Sequence, residues 1–269
     1  MKAYGVTSQN KISTLEELHI EDIQLKGFSI MRNVLNNEEL ELYRNKLDKL
    51  NEIQKKETGE DLLIKLNENN TVRLPLFYDN DFINLISKNE ILTVIKRLVG
   101  DFVILHLQNG IINYPSIEHH QSSWHRDLPY QDFTISRPIA VSVLYCIDDF
   151  NVNTGGTLVL PFSHKINHLP SKEFIENNEL TVNAKAGDVI IFDSMLYHRA
   201  GFNISGKIRR GINNIYTIPL IKQQINIPSA LGGKFEDDEK LSSLLGYTCQ
   251  TPDNVSEYRK QRQKKISGK

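Results

Sequence analysis

From residue 102 onward, the chain is a series of short runs rich in β-branched and aromatic residues, separated by turn residues. The runs occupy residues 103–107, 139–145, 157–160, 189–192 and 212–218. Clusters of turn residues, such as those at 153–156 and 186–188, stand between them. Short strands joined by turns, with no regular helices between them, predict an antiparallel sandwich or barrel rather than a parallel sheet.

The residues before and after this stretch have helical patterns. Asn36 is followed three residues later by Glu39 and then by leucines at helical spacing, which predicts a capped helix. A second helix is predicted over residues 90–99, with Gly100 just beyond its end. We therefore predict one domain over residues 1–269. It has a helical part at about 14–100, a β core at about 101–220 and a helical C-terminal extension at about 221–269.

The composition excludes several classes of partner. The 32 basic and 33 acidic residues leave a net charge of −1, so no overall field favours nucleic acid or a membrane surface. Cys146 and Cys249 are too few for a disulfide framework, which favours a reducing compartment and a cytoplasmic location. Residues 1–13 lack the apolar stretch of a secretory signal. No apolar run approaches the roughly 18 residues of a membrane span.

One carboxylate and two imidazoles occupy positions that a β scaffold could bring together. His125 and Asp127 are two residues apart, so both side chains would project from the same face of a strand. His198 follows the run at 189–192, and Arg209 lies 11 residues further along. Two histidines and one carboxylate are the ligand set of non-haem Fe(II) oxygenases. Arg209 would suit a dicarboxylate cosubstrate.

Two other functions are compatible with these ligands. A cupin-like metalloenzyme could use zinc, manganese or nickel for isomerase or hydrolase chemistry, since the order of metal affinities favours zinc over Fe(II). A binding protein without catalysis could retain the same scaffold. His-x-Asp alone is a common pattern, and it is also compatible with an ordinary pair of strand residues.

Linked segments, in the same order, resemble the phytanoyl-CoA dioxygenase family of Fe(II)/2-oxoglutarate-dependent oxygenases. They are Ser-Trp-His-Arg-Asp-Leu-Pro-Tyr at 123–130, Thr-Gly-Gly-Thr-Leu-Val-Leu-Pro-Phe-Ser-His at 154–164, Ala-Gly-Asp-Val-Ile-Ile-Phe at 186–192, and His-Arg-Ala-Gly-Phe-Asn at 198–203 with Arg-Arg-Gly at 209–211. The resemblance covers residues 102–219. It implies a mainly β fold with flanking helices, the cupin-like double-stranded β-helix or jelly roll.

The resemblance also implies the cofactors and their ligands. His125, Asp127 and His198 would bind Fe(II), with 2-oxoglutarate and O2 as cosubstrates. Arg209 would hold the distal carboxylate of 2-oxoglutarate, a task suited to the planar guanidinium. Strand alternation alone favours Arg210 instead, because Arg210 shares its face with the apolar residues that follow. The family spacing from His198 favours Arg209.

Further residues are expected near the cosubstrate or substrate. Tyr145 lies where the family often places an aromatic residue, Gln108 lies one strand before the His-x-Asp segment, and Arg73 lies where relatives place a basic residue. Their structural alternatives are a core tyrosine, a solvated glutamine and a surface arginine. His119 and His120 are candidates for a substrate role in what is otherwise an ordinary loop.

The implied reaction is hydroxylation of a small molecule, with 2-oxoglutarate converted to succinate and CO2. Asp127 favours hydroxylation, because related halogenases replace this carboxylate with a small residue. Desaturation or ring closure would use the same cofactors. The candidate pocket residues Gln108, Asn113, Arg73 and Tyr130 favour a polar metabolite over a bare hydrocarbon.

Two positions depart from the family pattern. Ala200 stands where members often have a serine that helps to hold the distal carboxylate of the cosubstrate. Phe162 replaces the glycine of a Pro-Gly-Ser-His turn. We therefore expect the hydrogen bond at the first position to be missing or to come from another residue, and we expect an altered turn at the second position.

Overall fold

The computed structural model describes residue 5, residues 8–128 and residues 134–267, without the side chains of 264 and 265. The strands are β1 (Phe28–Met31), β2 (Thr71–Arg73), β3 (Ile104–Asn113), β4 (Ala140–Cys146), β5 (Thr157–Val159), β6 (Leu180–Thr181), β7 (Val189–Asp193), β8 (His198–Ala200) and β9 (Arg209–Thr217). The helices are α1 (Leu15–Lys26), α2 (Asn37–Thr58), α3 (Glu60–Lys65), α4 (Pro75–Tyr78), α5 (Ile83–Ile86), α6 (Asn89–Val99), α7 (Lys172–Asn178), α8 (Ile227–Leu231), α9 (Glu239–Leu245) and α10 (Val255–Ser267). Short 3-10 turns cover Asn80–Phe82, Ser163–Lys165 and Tyr247–Cys249.

The described strands form two antiparallel sheets. The larger has the order β1-β7-β4-β9-β3-β2, and the smaller has the order β6-β5-β8. Phe192 of the larger sheet and Val159 of the smaller belong to one buried apolar cluster, so the two sheets pack on each other. The antiparallel jelly roll predicted from the sequence is confirmed. No helix in the described ranges combines the length and the apolarity needed to cross a bilayer.

The larger sheet is buried on both faces. In β4, Val141, Val143 and Tyr145 pack into the cluster formed with the N-terminal helices, while Leu144 and Cys146 pack toward the smaller sheet. A strand that is covered on both sides has a nearly continuous run of apolar residues, which explains why residues 139–145 are mostly apolar. Only the face toward the smaller sheet can contribute to a site between the sheets.

The predicted helix signals are confirmed. The Asn36 side chain accepts the N–H of Glu39, and the Glu39 carboxylate accepts the N–H of Asn36, so α2 begins with a complete capping box. The helix α6 ends at Val99, where Gly100 has a φ of 129°. Helix α2 packs closely on β3 at Gly110, which has no side chain. A Cβ at this position would collide with Leu47.

The N-terminal part is less purely helical than the sequence indicated. It supplies β1 and β2, which form the two edges of the larger sheet. Strands of three or four residues are too short to show a clear alternation, and their pairing depends on distant partners such as β7. β9 begins at Arg209, upstream of the predicted start at residue 212, so Arg209 lies within the sheet.

Candidate metal centre

The segment that carries His125 and Asp127 lies beside β8, held by backbone hydrogen bonds. His125 and His198 each donate an N–H to the carbonyl of the other over 3.0 Å. The N–H of Asp127 donates to the carbonyl of Ser194, also over 3.0 Å. Instead of the expected strand, the segment forms an isolated bridge, and this bridge places both side chains next to His198.

The three side chains converge on one point. One ligand atom from each of His125, Asp127 and His198 lies within 4.8 Å of the others, and His198 Nε2 is 3.4 Å from Asp127 Oδ1. His125 Nδ1 donates to the Ser123 carbonyl at 2.8 Å, and His198 Nδ1 donates to the Leu196 carbonyl at 2.9 Å. Because Nδ1 carries the proton, each neutral imidazole has its lone pair on Nε2, the atom that faces the cluster.

This donor set fits a divalent transition metal. His125 Nε2 is buried and has no hydrogen-bond partner among the described residues. A buried acceptor without a partner is rare in folded proteins, and a bound cation would satisfy it. Two imidazole nitrogens and one carboxylate oxygen are the donors of facial-triad Fe(II) sites.

The charge states of the ligands also suit a cation. Burial alone would raise the pKa of Asp127, but His198, His125 and the Ser142 hydroxyl together outweigh burial and lower this pKa to about 2. Burial, reinforced by the nearby His198, lowers the pKa of His125 to about 4. Asp127 raises the pKa of His198 against the effect of burial. At neutral pH the carboxylate is therefore ionised and His125 is neutral, as metal ligation requires.

Ser142 supports the carboxylate, although sequence reasoning did not identify it. Its hydroxyl donates to Asp127 Oδ2 over 2.5 Å, and Asn213 Nδ2 approaches the same oxygen at 3.5 Å. Ser142 is completely buried. A hydroxyl in the middle of an apolar strand is the sequence signal that could have identified this residue.

Arg209 lies in the same cavity as the three ligands and is only 2% exposed. Its guanidinium lies 4.3 Å above the Phe150 ring, and Nη2 donates to the Gly155 carbonyl over 2.7 Å. Burial lowers its pKa to about 10. In the described chain, its Nε has no partner and no carboxylate forms an ion pair with it. A buried cation without a counter-ion indicates a site for an anionic ligand.

Apolar and polar residues together line the cavity. Besides Arg209 and the three metal-ligand candidates, its lining consists of Ile111, Gln121, Leu144, Thr157, Phe192, Arg199, Ala200 and Asn213.

Arg210 points to the opposite face of β9. Its guanidinium forms hydrogen-bonded ion pairs with Asp48 at 2.7 and 2.8 Å, and with Asp148 at 3.0 Å. Strand alternation favoured Arg210 because the apolar residues that share its face pack on the helices. The face of β9 that forms the cavity also has buried residues, so hydrophobicity could not show which face of the strand carries the site.

Three of the residues expected near the cosubstrate do not line the cavity. The Tyr145 hydroxyl donates to the Leu85 carbonyl over 2.5 Å, and the Gln108 amide donates to the Phe82 carbonyl over 3.2 Å. Both side chains lie on the helix-facing side of the larger sheet. Arg73 forms hydrogen bonds with Glu68 and Gln224. The prediction that these three residues contact the cosubstrate is therefore wrong. Tyr145 and Gln108 belong to the core, and Arg73 belongs to the surface.

The remaining candidates are distributed as follows. Asn113 donates to the Gly201 carbonyl over 3.0 Å and closes the loop beside Arg209, while Tyr130 lies outside the described residues. Ala200 lines the cavity. Phe162 has a φ of 67°, so it adopts the left-handed conformation that glycine would favour, and the turn keeps that conformation at a steric cost.

Comparison with known proteins extends the resemblance beyond the motifs. The family model described as phytanoyl-CoA dioxygenase (PhyH) matches residues 23–211. An uncharacterised protein of Mycobacterium tuberculosis is 33% identical over 240 residues, which cover 86% of this chain and 87% of that protein. Ectoine dioxygenase of Nocardia farcinica is 25% identical over 224 residues, covering 70% and 74% of the two chains.

Solved structures share the fold at lower identity. HygX from Streptomyces hygroscopicus, crystallised with nickel, 2-oxoglutarate and hygromycin B, has a TM-score of 0.57 at 18% identity, covering 78% of this chain and 90% of HygX. The epimerase SnoN, in complex with Fe3+, alpha-ketoglutarate and nogalamycin RO, has a TM-score of 0.58 at 16% identity, covering 76% and 84%. The family match spans most of the chain and includes all three metal-ligand candidates and Arg209. This chain belongs to the phytanoyl-CoA dioxygenase family, whose members use Fe(II) and 2-oxoglutarate.

Proposed function

We propose that this protein is an Fe(II)- and 2-oxoglutarate-dependent dioxygenase that hydroxylates a small molecule and releases succinate and CO2. One observation carries the proposal. The cluster of His125, Asp127 and His198 shares a cavity with Arg209, a buried cation that has no carboxylate partner among the described residues. A cation site and an anion site in one cavity match the needs of a metal and a dicarboxylate.

His125, Asp127 and His198 would hold Fe(II), which together with 2-oxoglutarate and O2 supplies the oxidising power for C–H chemistry. The single carboxylate of Asp127 leaves a divalent ion with residual positive charge, which favours an anionic cosubstrate. Arg209 would bind the distal carboxylate with its remaining N–H groups. Its burial strengthens this interaction, because water screens it poorly.

The cavity lining supports a small polar substrate. Ile111, Leu144 and Phe192 contribute apolar surface to the cavity, while Gln121 and Asn213 offer polar groups. The expectation of a polar substrate depends on Gln121 and Asn213, because the Gln108 and Asn113 side chains form hydrogen bonds within the protein. HygX was crystallised with hygromycin B, and the Nocardia relative is named for ectoine, both small polar molecules.

The presence of Asp127 favours hydroxylation over halogenation, because the carboxylate occupies a metal position that a halide would need. The proposal includes no nucleic-acid or membrane partner. The net charge of −1 offers no general attraction to either surface.

We also propose a cytoplasmic location. Cys146 and Cys249 are both free thiols in the structure. Burial raises the pKa of the Cys146 thiol, which keeps it protonated and unreactive. Free thiols persist in reducing compartments. Fractionation of the source cells tests this location, and recovery in an oxidising compartment would contradict it.

The function is tested by loading anaerobically purified protein with Fe(II), adding 2-oxoglutarate and O2, and measuring succinate. We expect slow succinate formation without substrate, and faster formation with the correct member of a panel of polar metabolites. Asp127→Ala should abolish this iron-dependent reaction. Turnover with zinc or manganese but not Fe(II) would favour the isomerase or hydrolase alternative. Failure to bind 2-oxoglutarate or to form succinate would favour a binding protein.

A further inference from the structure

His119 is a buried histidine in the loop that precedes His125. It is only 2% exposed, and its ring stacks on the ring of His120, with centroids 4.4 Å apart and planes at 29°. Its Nδ1 accepts the backbone N–H of Gln121 at 3.1 Å, and its carbonyl accepts the N–H of Ser122 at 2.9 Å. The ring is therefore fixed in one orientation by its own loop.

The proton position on this ring follows from these contacts. Because Nδ1 accepts a hydrogen bond, the neutral ring carries its hydrogen on Nε2. Burial, followed by the neighbouring His120 and Arg209, lowers the pKa of His119 to about 2, so the ring is neutral at physiological pH. Nε2 is buried and has no partner in the described part of the chain. His119 thus holds a neutral donor whose hydrogen bond is not made by these residues.

The loop of His119 is attached to the cavity wall near Arg209. The Gln121 carbonyl accepts the N–H of Ala200 at 2.8 Å, and the side chains of both residues line the cavity. Ala200 pairs with Thr157 in the smaller sheet. Thr157 lies two residues after Gly155, whose carbonyl accepts a hydrogen bond from the Arg209 guanidinium. His119 and Arg209 therefore belong to the same end of the site.

We propose that His119 donates its Nε2–H to the distal carboxylate of 2-oxoglutarate, beside Arg209. This inference depends on the proposed function. Arg209 already uses one N–H group on Gly155, so a second donor would help to satisfy a carboxylate that can accept several hydrogen bonds. A neutral donor adds this hydrogen bond without adding a second buried charge, which would be costly in this position.

Two substitutions separate the roles of the two ring nitrogens. His119→Asn keeps a polar atom near Nδ1 and loses the donor at Nε2, whereas His119→Gln keeps an N–H close to the position of Nε2. Binding of 2-oxoglutarate is measured by calorimetry with Mn(II) in the metal site. We expect His119→Asn to weaken binding about tenfold, as for the loss of one hydrogen bond to a charged group, and His119→Gln to stay within about threefold of wild type. His168→Asn is the control, because His168 is exposed and does not line the cavity, and it should bind like wild type.

A second ligand tests the assignment to the distal carboxylate. 2-Oxobutyrate has the same 2-oxo acid group but no distal carboxylate, so His119→Asn should leave its affinity unchanged. An equal loss for both acids would overturn the assignment, as would unchanged binding of 2-oxoglutarate by His119→Asn. In the latter case the proposed function would stand, whereas a wild-type protein that does not bind 2-oxoglutarate would overturn both.

Wild-type protein gives an independent readout if the Asn variant does not fold. With isotope-labelled histidine and Zn(II) in the metal site, addition of 2-oxoglutarate should shift the NMR signal of the His119 Nε2–H and slow its exchange with water. 2-Oxobutyrate should leave that signal unchanged. A His119 signal that does not respond to 2-oxoglutarate, while 2-oxoglutarate binds, would overturn the inference.

Discussion

The hydroxyl of Ser142 donates to Oδ2 of Asp127 over 2.5 Å, while Oδ1 of the same carboxylate lies 3.4 Å from His198 Nε2. One oxygen is thus occupied by a hydroxyl from β4, and the other faces the imidazole. The same hydroxyl lies 2.8 Å from the Ser194 hydroxyl, so it is itself held in place. Ser142 therefore orients a metal-ligand candidate without belonging to the ligand set.

Ser142→Ala should weaken metal binding, because the Asp127 carboxylate loses the hydrogen bond that fixes its orientation. Loss of such a supporting contact typically lowers metal affinity by about 10- to 100-fold. Mn(II) affinity measured by calorimetry checks this result. Ser87→Ala is the control, since among the described residues that hydroxyl bonds only to the Ile83 carbonyl, within the N-terminal helices. Equal Mn(II) affinity in both variants would mean that the backbone alone orients Asp127.

Arg209→Lys and Arg210→Lys should have different effects, although the two residues are adjacent. Lysine at 209 keeps the charge but loses the planar set of N–H donors, so the affinity for 2-oxoglutarate should fall at least about tenfold. Lysine at 210 keeps part of the ion pairing with Asp48 and Asp148, so 2-oxoglutarate binding should stay close to wild type. Titration of both Mn(II)-loaded variants with 2-oxoglutarate measures the difference. A larger loss in Arg210→Lys would mean that Arg210, not Arg209, serves the cosubstrate.

Local chemistry made parts of the fold predictable from the sequence. The capping box of Asn36 and Glu39 and the glycine after α6 depend on residues only a few positions apart. The apolar runs and the turn residues between them are also local signals, and they predicted the antiparallel strands. His125 and Asp127 could be paired because they are two residues apart, and His198 could be added because it follows a strand-like run, a choice that the family resemblance supported.

Which face of the sheet forms the site could not be predicted, because both faces are buried. Tyr145 and Gln108 were expected in the site, yet the alternation of their strands places them against the N-terminal helices. Ser142, on the other face of the same strand as Tyr145, contacts Asp127. The importance of His119 depends on its Nε2, which has no hydrogen-bond partner among the described residues, and a sequence pattern cannot report this.

Gly155→Ala should destabilise the protein and weaken 2-oxoglutarate binding. Gly155 has a φ of 68°, and a Cβ there would lie 2.5 Å from the Gly201 carbonyl oxygen and 2.9 Å from the Asn203 nitrogen. The backbone must shift, and the Gly155 carbonyl that accepts Arg209 shifts with it. We expect a loss of about 1–3 kcal/mol in the free energy of unfolding, measured with urea.

Gly206→Ala is the matched control for this glycine. Its φ of 70° is similar, but a Cβ there meets no atom within 4 Å. It should lose about 1 kcal/mol from the backbone conformation alone and keep normal 2-oxoglutarate affinity. Equal 2-oxoglutarate affinity in the two variants would contradict the link between Gly155 and the Arg209 site.

The stability of the metal-free protein should depend on pH through His164, a buried histidine outside the metal centre. Burial lowers its pKa to about 4, and its Nε2–H donates to the Gln24 carbonyl at 3.2 Å. Between pH 4 and the ordinary histidine value near 6.5, the unfolded chain binds a proton at this position and the folded chain does not. Lowering the pH across this window therefore favours unfolding, by up to ~1.4 kcal/mol per pH unit for one such group.

The His164→Gln variant isolates this contribution, because glutamine keeps an N–H donor for the Gln24 carbonyl but does not titrate. Asp193, whose pKa burial raises to about 6, gives an opposite slope over part of the same range, so the comparison of variant with wild type is the informative measurement. Urea unfolding at intervals from pH 4 to 7, with a chelator present, should show a smaller loss of stability on acidification in His164→Gln. Parallel curves for the two proteins would mean that His164 becomes protonated in the folded state as readily as in the unfolded chain.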